Sequence, residues 1–90
     1  MATVIIVTKL MPSSPEADLS KIINHASVIL NKEGARNVSF EERPIAFGLK
    51  AVIIKMDMPE EKGTDTVESL LANIPEVSSV TIEEYRRAFG

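Results

Sequence analysis

Few residues in this chain could do chemistry, and their types narrow the choices at once. His25 is the only histidine and cysteine is absent, so a zinc site lacks its ligands and thiol catalysis lacks its nucleophile. His25 lies between Asn24 and Ala26, at the boundary between the apolar and polar faces of an amphipathic segment. It is a poor base for any serine hydrolase arrangement. The carboxylates cluster as Glu41-Glu42, Glu60-Glu61 and Glu83-Glu84. Adjacent residues on a strand point to opposite faces, so these pairs read as solvated charge and not as acid/base dyads. Glu60-Glu61 lacks the Asp and Gly spacing of a calcium loop, and no metal or cofactor is expected. Gly34, Gly48, Gly63 and Gly90 stand alone, none in the context of a phosphate-cradling loop. Nucleotide binding by the chain itself is therefore not expected.

Two segments resist so plain a reading. Pro44-Ile45-Ala46-Phe47-Gly48-Leu49 is an apolar connection where a polar loop is the usual choice. Phe47 there is either a staple onto the core, the reading its bulk favours, or an exposed anchor of the kind that dominates protein interfaces. The second segment is Glu83-Glu84-Tyr85-Arg86-Arg87-Ala88-Phe89, which sets two arginines and aromatics at the end of an acidic chain. Solvation is the ordinary fate of such surface charges.

The elements that must position these residues follow from the hydrophobic pattern. Thr3 to Leu10 is a strand that stops at Met11-Pro12-Ser13-Ser14-Pro15. Ser14-Pro15-Glu16 reads as a helix start, and Leu19, Ile22, Ile23, Ala26, Ile29 and Leu30 recur at helical spacing until Gly34, giving a helix over about 15–33. Strands follow over Arg36 to Arg43 and Leu49 to Met58, separated by the apolar turn and closed by Pro59-Glu60-Glu61-Lys62-Gly63. A second, short helix begins at Thr64 or Asp65 with Glu68 reaching back as a capping box, and carries Val67, Leu70, Leu71 and Ile74 before Pro75. A last strand runs from Val77 to about Tyr85 and leads into the arginines.

The order βαββαβ implies a ferredoxin-like α+β sandwich, with a four-stranded antiparallel sheet and both helices on one face. The other sheet face would be open and partly apolar, able to bind something or merely to pack across strands. Ninety residues are one domain, spanning 1–90. A net charge of −3 gives no reason to expect nucleic acid as a direct ligand. The absence of strands one and three aromatics removes the usual RNA-stacking surface as well. No apolar run approaches a membrane span or signal peptide, and the lack of cysteine fits a cytoplasmic setting.

Glu42-Arg43-Pro44-Ile45-Ala46-Phe47-Gly48-Leu49-Lys50-Ala51 resembles the most specific segment of the guanine-nucleotide exchange domain of translation elongation factor 1 beta. Gly63-Thr64-Asp65 and Val77-Ser78-Ser79-Val80 support it, the resemblance covers residues 3–89, and the length is similar to the compact archaeal form. The resemblance implies a ferredoxin-like exchange factor that promotes GDP release, and hence GTP loading, on elongation factor 1-alpha, without bond-making chemistry. It implies that Phe47 docks onto this GTPase, with Pro44, Ile45, Ala46, Gly48 and Lys50 around it. It also implies that Arg87, with Arg86 beside it, reaches toward the partner's magnesium and phosphate site. The eukaryotic branch of the family carries Lys where Arg87 stands. The alternative of another class is a ferredoxin-like small-molecule-sensing or dimerisation module, which would use the open sheet face.

Overall fold

The computed structural model describes residues 3–87. Ala88, Phe89 and Gly90, the end of the basic segment, lie outside the described residues. The elements are β1 (Thr3–Pro12), α1 (Leu19–Lys32), β2 (Arg36–Pro44), β3 (Lys50–Pro59), a 3-10 turn (Glu60–Lys62), α2 (Gly63–Ala72) and β4 (Val77–Arg87). The sheet order is β2-β3-β1-β4, and every neighbouring pair is antiparallel. This is the ferredoxin-like α+β sandwich that the pattern predicts.

Strand periodicity explains which side chains meet. Val4, Ile6 and Leu10 of β1 and Val52, Ile54, Met56 and Met58 of β3 share one sheet face, and Ile22, Ala26 and Leu30 of α1 and Val67 and Leu71 of α2 close over it. Burying a large aliphatic side chain in such a core stabilises it by about 1.5–3 kcal/mol. Thr8 occupies the same face, wholly buried, and its hydroxyl has no hydrogen-bond partner.

The helix starts differ from expectation. Helix α1 begins at Leu19, not near Pro15, because the Asp18 carboxylate accepts from the Lys21 amide at 3.3 Å and caps the first turn. Ser14 to Ala17 forms a separate turn, closed by the Ala17 amide on the Ser14 carbonyl. At the other end, Gly34 adopts φ +86, and the Ala35 amide reaches the Leu30 carbonyl at 3.0 Å, the Schellman closure that favours glycine there. The expected capping box on α2 does not form. No side chain caps that helix, and the chain enters it from the 3-10 turn through Gly63 at φ 72.

The face turned away from the helices is less open than the sequence suggests. Ala51 and Ile53 lie on it, yet they are 0% and 7% exposed. Arg43 on edge strand β2 reaches Glu83 on edge strand β4, with Nη1 3.4 Å from Oε1. Ile5, Val7 and Met11 of β1 on the same face are half-buried, so the face is partly and not wholly covered.

Candidate partner-docking site

Two ends of the molecule carry the singled-out residues. The first is the β2–β3 turn. Pro44 pairs with Lys50, the Ile45 amide donates to the Leu49 carbonyl at 2.9 Å, and the Leu49 amide donates to the Ala46 carbonyl at 3.0 Å. Phe47 and Gly48, the two residues inside that last bond, have φ of 56 and 76. Positive φ at both central positions is the signature of a type I′ turn, whose hand matches the twist of the strands it joins. Glycine fits such a position and a bulky residue does not. A left-handed conformation costs an ordinary L-residue roughly 1–2 kcal/mol.

That geometry decides the fate of Phe47. The ring is 94% exposed, so the favoured staple onto the core is not what the structure has. The turn projects the aromatic beyond the sheet, where none of the described residues covers it. Ile45 beside it is 44% exposed, and Pro44, Ala46, Gly48 and Lys50 are exposed as well. Under the turn, Gly48, Lys50 and Glu42 face Pro12, Ser14 and Pro15 across a cleft of about 200 Å³. A Cβ on Gly48 would come 3.9 Å from that of Pro15, so the turn and the β1–α1 connection are near neighbours.

The opposite end holds the arginines, and here the last strand is longer than expected. It continues through Arg87, with Arg87 opposite Val4 and Arg86 opposite Ile5. Consecutive strand residues point to opposite faces, so the two guanidinium groups do not form one patch. Arg87 lies on the helix side, as Val4 does, and Arg86 on the far side. Arg87 contacts Glu60 with Nη2 2.8 Å from Oε1 and Nε 2.6 Å from Oε2. Arg86 contacts Glu84, with Nε 2.8 Å from Oε2. Glu60 has no signal in the sequence as a partner of Arg87, being 27 residues distant; only the antiparallel register brings them together.

Strand β3 separates the two ends. Phe47 lies beyond its first residue, Lys50, and Arg87 stands level with Met58 near its last, through Val4. At about 3.3 Å per strand residue the gap is on the order of 30 Å, in a molecule 41 Å long. Among the described residues, no group of three or more His, Cys, Asp or Glu is arranged to hold a metal ion.

The fold and these surfaces define a ferredoxin-like domain that presents an aromatic turn at one end and a cationic strand terminus at the other. Among solved structures, it is similar to the C-terminal domain LarC2 of a cyclometallase involved in the synthesis of the NPN cofactor of lactate racemase. The TM-score is 0.69 at 11% identity, over 99% of this chain and 58% of that one, a likeness of fold alone. The particular family comes from sequence: residues 5–88 match the model of the EF-1 guanine nucleotide exchange domain, and the chain belongs to that family. It is 43% identical over 84 residues to elongation factor 1-beta of Metallosphaera sedula, covering 91% of each chain. It is 39% identical over 85 residues to elongation factor 1-beta of Methanocaldococcus jannaschii, covering 93% of this chain and 96% of that one.

Proposed function

We propose that this protein is a guanine-nucleotide exchange factor for elongation factor 1-alpha in translation. Its family membership and its near full-length match to elongation factor 1-beta relatives support this reading. The observation that carries the site is the Phe47 turn, an exposed aromatic held in a conformation that local energetics oppose. Strain of this kind persists where the surrounding structure enforces it and concentrates at functional positions. Phe47 is the anchor onto the GTPase, with Pro44, Ile45, Ala46, Gly48 and Lys50 shaping the contact around it. A large apolar ring leaving water for a partner's pocket is the usual source of hot-spot binding energy.

Arg87 supplies the disturbance from the other end. A GTPase holds GDP through magnesium and phosphate contacts. A guanidinium entering that region competes with the metal for the phosphate charge and lowers nucleotide affinity. Linkage then requires that nucleotide lower the affinity for the factor by the same ratio, so incoming GTP displaces it. Arg86 faces the other way and has no direct part. The protein makes and breaks no covalent bond in this scheme and works in the cytoplasm, where translation runs. Among the described residues no helix is long and apolar enough to cross a membrane.

The test is the release of a fluorescent GDP analogue from purified cognate elongation factor 1-alpha with excess unlabelled nucleotide and substoichiometric protein. Accelerated release of more than one equivalent per molecule of factor is the expected outcome. Release at the spontaneous rate, with a partner that binds and hydrolyses GTP normally, would refute the proposal.

A further inference from the structure

Arg87 is not free to act in the unbound protein. Its guanidinium lies against the Glu60 carboxylate, with Nη2 hydrogen-bonded to Oε1 at 2.8 Å and Nε 2.6 Å from Oε2. Nη2 donates a hydrogen bond to Oε1, whereas the approach of Nε to Oε2 is an ion-pair contact without hydrogen-bond alignment, which leaves Oε2 buried with no hydrogen-bond donor. Glu60 is the first residue after β3 and opens the 3-10 turn. Pro59 before it pairs with Thr3, and Arg87 pairs with Val4, so the ion pair closes over the start of β1, between the ends of two strands that are not neighbours in the sheet. The side chain of Arg87 is 72% exposed and that of Glu60 34%, which leaves the pair weak enough to open. Among the described residues, the two neighbouring cations are engaged elsewhere: Lys62 contacts Glu33 at 3.6 Å, and Arg86 contacts Glu84 on the far face.

We infer that Glu60 is a latch for Arg87, holding its guanidinium against the body of the free protein and releasing it when the factor engages its GTPase. This rests on the exchange reading above and assigns Glu60 a positioning role within it. While the guanidinium is paired with Glu60, its Nη2 donor and its charge are engaged there and not by a phosphate of the partner. Each exchange event must therefore open the pair, and the partner's anionic site and Glu60 compete for the same donors. The latch keeps a cation from pairing indiscriminately with other anions and sets how much of the engaged factor is in the active arrangement. Exposed ion pairs are weak, so removing the competing charge shifts that balance by roughly two- to five-fold.

The experiment measures GDP release from elongation factor 1-alpha as a function of factor concentration for the wild type, Glu60→Gln, Arg87→Gln and the double variant. Glu60→Gln is expected to raise the maximal release rate about two- to five-fold, with the half-saturating concentration little changed. In the Arg87→Gln background the same substitution is expected to do nothing. A Glu60→Gln rate equal to or below that of an active wild type overturns the latch. An equal gain in both backgrounds also overturns it, since Glu60 would then act without Arg87. A wild type that does not accelerate release at all overturns the exchange reading itself, and the latch with it.

Discussion

The two ends of this molecule hold their candidate side chains by opposite physical means. At the β2–β3 turn an aromatic is held out by backbone geometry, since Phe47 at φ 56 has no route back to the core. At the end of β4 a cation is held in by a side-chain contact, since Arg87 is ion-paired with Glu60. The first arrangement is fixed by backbone hydrogen bonds across the turn and suits an anchor that must meet its pocket preformed. The second is readily opened and suits a group that must move from one anion to another. The proposed binding role and the proposed displacing role are thus separated by on the order of 30 Å of strand, and variants can address one without the other.

The largest effect is expected at the moving end. Arg87→Ala should lower the maximal GDP-release rate about 10- to 100-fold, the value of a hydrogen bond to a charged group, with smaller change in half-saturation. Stopped-flow release at saturating factor checks this. Phe47→Ala should raise the half-saturating concentration about 30-fold, as loss of a hot-spot aromatic does, and leave the maximal rate nearly intact.

Stability sharpens the contrast further. The region between the ends is a control: Thr8→Val removes a buried hydroxyl without a partner and should stabilise the fold by about 1–2 kcal/mol, with no change in exchange. Denaturant titration measures it. Phe47→Asn should stabilise by about 1 kcal/mol, because asparagine before glycine is the preferred type I′ pair, yet weaken docking as Phe47→Ala does. A variant that melts higher and binds worse would show that the turn is shaped for its partner and not for the fold. The smallest effect is expected for Arg86→Ala, within about twofold of wild type in both kinetic parameters, since its pair with Glu84 is exposed.

Much of the fold is legible in the sequence because burial follows simple periods. The alternation of Val4, Ile6 and Leu10 and the helical recurrence of Ile22, Ala26 and Leu30 become core as expected. The helix starts are less legible, because several residues compete to cap. Ser14-Pro15 has the composition of a helix start, but the Asp18 side chain makes the contact. The candidate site is legible in residue identity and not in disposition. The exposure of Phe47 depends on its sign of φ, for which the only sequence signal is Gly48 directly after it in a short hairpin. The facing of the arginines depends on β4 running through Arg87, two residues past the expected end near Tyr85. Pairs such as Arg43 with Glu83, 40 residues apart, follow from topology and no local pattern announces them.

The central claim is that the two ends act separately, and the Phe47→Ala/Arg87→Ala double variant tests it most directly. The measurement is the GDP-release rate at subsaturating factor for wild type, both single variants and the double. Sites this far apart that share no contact should combine independently, so the expected double-variant loss equals the product of the single losses, within about twofold. A double variant no slower than the worse single would mean that both side chains serve one contact, and would contradict the division of roles.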